Sequence, residues 1–394
     1  MFHVPTKIHY GSGVIQEIKE YHLKSLCVIA DPFLLENQIF QNGLDIIEKE
    51  GISYEIFSDI IPDAPLEKIV EGVARLEENG HEAILAIGGG SALDTAKSIG
   101  FFHDIIYSQK GKVMVFAVPT TSGTGSEVSS YVVIKDSKEG IKYPLRDERL
   151  IPDVALLDTD FVMTMPKQIT IDTGFDTLTH ALEALVSNKS NKFSDVFAKE
   201  AIKNVVEFLP KVVEKNTRRN REKLHIAACM AGISFDQSGL GINHSLAHII
   251  GARFGIPHGR ANAILLPYVM KYNFEHMEDK KYLEVADYFE VEGFSKDIIF
   301  KNMIKHLIKM RNTLGIPNSL EKAGVNEKEF MNMLDEISAI AFQDGCTLTN
   351  PVEVTIEELK EILIQAYFGN RKGSKMMRSF VNHNVIANPS QGII

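Results

Sequence analysis

The chain has no tryptophan and only three cysteines, Cys27, Cys229 and Cys346, none of them at CxxC spacing. That excludes a disulfide-built scaffold and suits a reducing, cytoplasmic compartment. No apolar run approaches the roughly 20 residues that span a bilayer. The opening Met1-Phe-His-Val-Pro-Thr-Lys-Ile has no charged stretch followed by an apolar one, which predicts no signal peptide. Positive charge is in deficit. Lys and Arg number 42 against 52 Asp and Glu, a formal charge of −10 that argues against a nucleic-acid surface and against an anionic membrane. There is no internal repeat and no low-complexity linker.

What is present is an ordinary globular composition over 394 residues, more than one core comfortably holds, so two domains are expected. Short apolar strands at Leu26–Ala30, Ile52–Phe57, Ala83–Ile87, Val113–Val118 and Val154–Leu157 alternate with helical periodicity through about Lys49, over Leu66–Glu78 and over Ala92–Ile99. This alternation predicts a doubly wound, Rossmann-like parallel sheet. Beyond Pro166 strand signals almost vanish. Helices are expected over Ser194–Leu209, stopping at Pro210, and over Leu224–Ile233, Lys281–Tyr288, Ile298–Leu314, Glu327–Ala341 and Thr355–Tyr367. The expected division is an α/β domain at 1–166 and an all-α domain at 167–394. From Arg371 onward the chain is polar and basic, which reads as a loose tail.

Two loops carry phosphate-binding chemistry. Gly88-Gly89-Gly90-Ser91 lies between a strand and a helix, where backbone N–H groups and a helix N-terminus attract an anion. The plainer reading is a tight turn, but three consecutive glycines exceed what a turn needs. The loop Pro119-Thr120-Thr121-Ser122-Gly123-Thr124-Gly125-Ser126 adds hydroxyl donors after the next strand. Two such loops suit a dinucleotide at the carboxyl ends of a sheet, although neither has GxGxxG spacing. Asp31, directly after a strand, is placed to accept from a ribose and to repel a 2′-phosphate, favouring NAD over NADP. It also reads as a helix-capping or turn aspartate.

A third constellation carries metal chemistry. Asp176-Thr-Leu-Thr-His180 and His244-Ser-Leu-Ala-His248 each put two donors one helical turn apart, and Pro257-His258-Gly-Arg follows. Four of the 13 histidines fall in these segments. Spacing alone leaves five candidate ligands: Asp176, His180, His244, His248 and His258. A nitrogen-rich set with one carboxylate suits Fe(II) or Zn(II). Glu183, about one turn beyond His180, is a candidate supporting acid or a solvated one. His225 and His306 read as ordinary core histidines.

These segments resemble the iron-dependent (group III) alcohol dehydrogenases over nearly the whole chain. The matching motifs are Gly-Gly-Gly-Ser-Ala-Leu-Asp-Thr-Ala-Lys at 88–97 and Pro-Thr-Thr-Ser-Gly-Thr-Gly-Ser-Glu-Val at 119–128. They continue with Asp-Thr-Leu-Thr-His-Ala-Leu-Glu-Ala at 176–184, Gly-Ile-Asn-His-Ser-Leu-Ala-His at 241–248 and Pro-His-Gly-Arg-Ala-Asn-Ala-Ile-Leu-Leu-Pro at 257–267. The resemblance implies that Asp176, His180, His244 and His258 bind the metal, and that His248 lies beside nicotinamide and substrate, where an imidazole that titrates near neutral pH is a candidate proton relay. It adds Asp94 and Lys142 to the cofactor contacts. It implies reversible hydride transfer between NAD(H) and a short primary alcohol or aldehyde, and a homodimer or larger homo-oligomer. The runs Gly-Ile-Asn-His and Cys346-Thr-Leu-Thr-Asn-Pro look most like the propanol and ethanol dehydrogenases of propanediol- and ethanolamine-utilisation systems, which implies fermentation and a place in the cytoplasm or a bacterial microcompartment. Ala92 departs from the proline common in relatives. The alternative within the fold is a non-redox relative resembling the dehydroquinate synthases. It would need a basic pocket, and the segments around the metal offer mainly Arg253 and Arg260.

Overall fold

A computed structural model describes residues 2–61, 64–138 and 141–369, with the side chains of 141 and 142 excepted. The basic tail from Arg371 and the side chain of Lys142 therefore lie outside the described residues. The chain divides into two compact units, one of Met1–Ala181 with Asn191–Gln237, the other of Leu182–Ser190 with Ser238–Ile394.

The first unit is built on a six-stranded sheet of β1 (Lys7–Gly11), β2 (Ser25–Ala30), β3 (Ser53–Phe57), β4 (Ala83–Gly88), β5 (Met114–Pro119) and β8 (Val154–Asp158). The order is β1-β8-β5-β4-β2-β3, and every pairing is parallel. Strands buried on both faces read as continuous apolar runs, which is why β2, β4 and β5 are plain in the sequence. Successive side chains still divide between the faces. Cys27, Ile29, Ile84, Ala86, Val115 and Ala117 join one core with α2 (Leu66–Asn79) and α3 (Gly90–Ile106). Leu26, Val28, Leu85, Ile87, Phe116 and Val118 join the other with α1 (Gln38–Lys49).

Three strands escape sequence reading. Strand β1 pairs only with β8 and is half exposed, so it has no apolar run to announce it. The antiparallel pair β6 (Tyr131–Asp136) and β7 (Ile141–Arg146) stands apart from the main sheet, and its strands mix charged and apolar residues. Pro144 is tolerated there because a two-stranded ribbon has free edges.

After β8 come α4 (Thr159–Val162), α5 (Lys167–Val186), α6 (Lys192–Glu214) and α7 (Arg218–Ser238). Helix α6 opens on a capping box in which Asn191 and Ser194 exchange side-chain and backbone bonds. It does not stop at Pro210, as the sequence suggests, but runs through it to Glu214. An interior proline costs about 3 kcal/mol. Buried Phe208, Leu209 and Val212 on either side supply the packing that offsets it.

The described part of the second unit is helical beyond the end of α5 and α7. It holds α8 (Ile242–Phe254), α9 (His258–His276), α10 (Lys296–Thr313), α11 (Glu327–Gln343) and a last helix at 356–369. The segment Lys281–Phe289 is a 3-10 helix rather than an α-helix. Ser295 and Asn326 cap α10 and α11 by accepting first-turn N–H groups. No helix among the described residues is long and apolar enough to cross a membrane.

Candidate active site

In the first unit the predicted cofactor residues collect at the carboxyl ends of three neighbouring strands. Asp31 follows β2, Gly88 ends β4, and Thr120 follows β5. Gly88 pairs in register with Pro119, and the Thr120 N–H donates to Gly88 C=O at 2.9 Å, so the two loops leave the sheet side by side. Helix α3 begins at Gly90 with no side-chain cap and no acid in its first turn. Its N-terminal N–H groups thus form an electropositive end that fits a phosphate.

The glycines are needed for close approach within the protein itself. A Cβ on Gly88 would lie 2.6 Å from Asp31 Oδ2, and one on Gly90 would lie 2.9 Å from Thr124 Cγ2. Asp31 Oδ2 accepts the Gly89 N–H at 2.9 Å, so this carboxylate braces the glycine turn. Burial raises its pKa against that hydrogen bond. Thr121 and Ser91 are partly exposed beside the turn.

Asp94, the expected cofactor contact on α3, is tied to the neighbouring loop. Its Oδ1 accepts from Ser126 Oγ at 2.6 Å, and Lys97 lies 3.9 Å away. Lys97 is buried, and its Nζ donates to Ser126 C=O, Ser126 Oγ, Ser129 Oγ and Tyr131 C=O at 2.7–3.3 Å. This ammonium ties α3 to the hydroxyl-rich loop and to β6. Burial lowers its pKa, while Asp94, Asp236 and Glu127 oppose that. Glu127, also buried, is pushed up to about 7. Lys97 is the last residue of the glycine motif, but nothing in the pattern distinguishes it from a solvated lysine.

Asp176 and His180 lie one turn apart on α5, both buried, with the His180 ring 4.7 Å from that of Phe235. His225 is the core histidine expected: its Nδ1 is 3.0 Å from Ser122 Oγ, and burial drives its pKa down to about 3. Lys142 sits in β7 opposite Lys135.

The second unit gathers the other three histidines. Helix α8 ends at Gly255, whose left-handed backbone (φ 65°) closes the helix through its N–H to Gly251 C=O. Pro257 then occupies the N-cap position of α9, so His258 is the first residue of the helix. Nε2 of His244 and Nε2 of His258 each lie 3.2 Å from the Asn262 amide nitrogen, so two imidazole nitrogens converge on one point. Glu183 fixes the tautomer. Its Oε2 is 2.5 Å from His244 Nδ1, and its Oε1 accepts the Asn243 N–H at 2.7 Å. A buried carboxylate on Nδ1 leaves Nε2 as the ligating nitrogen, the usual arrangement behind a metal-bound histidine. The donor chemistry therefore fits Fe(II) or Zn(II). Glu183→Ala is expected to weaken metal binding about 10–100-fold, read by dialysis against a graded chelator. Unchanged affinity would reduce Glu183 to packing.

His248 stands apart from this pair in exposure and partner. Its side chain is 46% exposed, and its Nδ1 is 2.9 Å from Asp344 Oδ2. Burial acts to raise the Asp344 carboxyl. The hydrogen bond and charge of His248, with the Cys346 N–H, outweigh that and hold it at about 2. The His248 and His258 rings stack at 5.3 Å. Asn262 and Asp344 carry no signal in spacing. Asn262 lies inside a quoted motif without a role, and Asp344 lies two residues before another.

Comparison with known proteins identifies the family. Residues 5–159 match the iron-containing alcohol dehydrogenase family, and residues 170–367 match the C-terminal part of the Fe-containing alcohol dehydrogenase family. The NADPH-dependent butanol dehydrogenase of Clostridium saccharobutylicum is 34% identical over 382 residues, covering 93% of this chain and 98% of that protein. The 1-propanol dehydrogenase PduQ of Salmonella typhimurium is 35% identical over 372 residues, covering 92% and 98%. Sulfoacetaldehyde reductase from Bifidobacterium kashiwanohense, solved in complex with NAD+, superposes with a TM-score of 0.82 at 25% identity, covering 94% of this chain and 99% of that one. With both halves matched and relatives above 30% identity along nearly their full length, the chain is an enzyme that belongs to the iron-containing alcohol dehydrogenase family.

Proposed function

We propose that this enzyme interconverts short primary alcohols and aldehydes, with propanal/1-propanol and acetaldehyde/ethanol favoured, using NAD(H) and Fe(II) or Zn(II). The observation that carries the proposal is the convergence of His244 and His258 Nε2, with Glu183 seated behind His244. By the family resemblance Asp176 and His180 complete the ligand set. When bound, the metal supplies Lewis acidity toward the substrate oxygen and the nicotinamide supplies or takes the hydride.

The chain's own groups do the rest. The turn Gly88–Ser91 and the first turn of α3 hold the cofactor phosphates, and Thr120, Thr121 and Thr124 add hydroxyl contacts. Asp94 is retained as a cofactor contact on the resemblance, and its bond from Ser126 ties α3 to the hydroxyl-rich loop. Lys142 is retained as a cofactor contact on the resemblance. Nδ1–H of His248 donates to Asp344, so Nε2 is the atom that exchanges a proton with the substrate oxygen. We further propose a homo-oligomer of two or more chains in the cytoplasm or a microcompartment, on the resemblance alone.

Asp31 gives the sharpest test of the cofactor. Its carboxylate near a ribose favours NADH over NADPH, and Asp31→Ser is expected to raise the NADPH-to-NADH ratio of kcat/KM by about tenfold or more, the effect of removing one like-charge repulsion worth about 1.4 kcal/mol. Initial rates with both cofactors on acetaldehyde, propanal and butanal measure this. A wild-type enzyme preferring NADPH, as the butanol dehydrogenase relative's name indicates for that protein, would refute the role given to Asp31.

A further inference from the structure

The first metal set uses imidazoles and a carboxylate. Beside it in the second unit lies a different trio. His248, Asp344 and Cys346 each offer one donor atom, and these lie within 4.8 Å of one another. We propose that His248, Asp344 and Cys346 form a second, solvent-accessible site for a thiophilic divalent cation such as Zn(II) or Cd(II), and that filling it silences the enzyme. The silencing rests on the proton-relay reading of His248, and the binding does not.

The donors are held in place before any cation arrives. Asp344 is the N-cap of the 3-10 helix Gly345–Thr349 and accepts the Cys346 N–H at 2.8 Å. Thr347 Oγ1 bonds to Ser245 Oγ on α8 at 2.8 Å and to Ala341 C=O at 2.7 Å. Thr349 Oγ1 donates to Leu240 C=O at 2.6 Å. These bonds pin the turn that carries Asp344 and Cys346 against the helix that carries His248. The three side chains stand between exposed and half-buried, so a cation can enter. One nitrogen, one oxygen and one sulfur are a borderline-to-soft donor set, and three protein ligands leave a fourth position for water. The sulfur sets the selectivity, favouring Zn(II) and Cd(II) over Fe(II), whereas the histidine-rich set has no sulfur.

The trio suits a cation better than it suits thiol chemistry. Burial and the Asp344 charge push the Cys346 thiol well up, so it is a poor nucleophile. A divalent ion reverses that balance, because the carboxylate that opposes a thiolate becomes its co-ligand. On binding, the thiol proton leaves to solvent as the sulfur–cation bond forms, and the neutral imidazole of His248 ligates through its unprotonated nitrogen while its one N–H proton stays on, or shifts to, the other ring nitrogen. His248 is then no longer available to exchange a proton with substrate.

The test uses iron-loaded enzyme, prepared without oxygen and titrated with Cd(II). The expected result is an ultraviolet thiolate-to-cadmium band that saturates at one added equivalent while iron stays bound. Turnover should fall in parallel. Cys346→Ser keeps the backbone N–H that anchors Asp344, and it should lack the band. Its inhibition should need at least about tenfold more cadmium, because a ligand is lost where even a supporting partner costs that much. Cys346→Ala should behave likewise. No band in the wild type, a band that persists in both variants, or inhibition that tracks iron release would each overturn the site. Cadmium binding as expected without inhibition would overturn the silencing, and with it the relay reading of His248.

Discussion

Replacing His244 by alanine is expected to leave a folded protein that retains no metal through dialysis and turns over at least about a thousandfold more slowly, since Lewis-acid stabilisation of a transition state is worth several kcal/mol. The expectation rests on its place at the centre of the second unit's polar network. The residue is 1% exposed, and its two ring nitrogens have different partners. Nδ1 belongs to Glu183 and Nε2 points to the position shared with His258 and Asn262. Removing the ring also takes one partner from the buried Glu183, which keeps the Asn243 N–H. Some thermal stability will be lost for that reason alone. His244→Gln separates the two effects, because a glutamine can still donate to Glu183 while offering a weaker metal ligand. Metal content by elemental analysis, set beside kcat, decides the matter. A variant holding its metal at full stoichiometry would remove His244 from the ligand set.

Lys97→Ala is expected to cost about 3–5 kcal/mol of stability, the range for breaking a buried charge pair by removing one partner. Four oxygen atoms accept from this ammonium, and the half-buried Asp94 with the buried Asp236 and Glu127 acts to hold its proton against burial. Without Lys97 those oxygens lose a donor and the acids lose a counter-charge inside the fold. Asp94, already raised by burial, would be driven further toward its protonated form. The loop from Ser126 to Tyr131 is then expected to loosen, and NADH affinity to fall with it. Urea denaturation of the metal-free protein measures the loss. A midpoint within error of the wild type would show that the network carries little energy.

Legibility in the sequence followed burial. Strands β2, β4 and β5 are covered on both faces, so composition alone revealed them, and with them the parallel sheet and the two loops that leave its carboxyl edge. Strand β1 has one neighbour and one exposed side, and β6 with β7 lies outside the six-stranded sheet, where two buried positions of β6, Val132 and Ile134, make too short an apolar pattern among charged residues to announce a strand. Pro210 misled because its local cost is real, while the packing that overrides it is tertiary. At the candidate site the histidines were legible because i, i+4 spacing on a helix is a one-dimensional signal. Their partners were legible only in part. Glu183 could be named as a supporting acid but not assigned to His244, which it reaches across 61 positions, and Asp344, which reaches His248 across 96, gave no signal. Asn262 earns its place only where α8 and α9 meet, and Lys97 reads as any surface lysine until its burial is known.

The most direct measurement is NADH oxidation with propanal, using protein purified without oxygen and reconstituted with Fe(II), with and without a chelator. The account predicts rapid turnover that the chelator abolishes and added Fe(II) restores. Turnover that survives complete removal of the metal, or a filled metal site with NADH bound and no reaction on any short aldehyde, would contradict it.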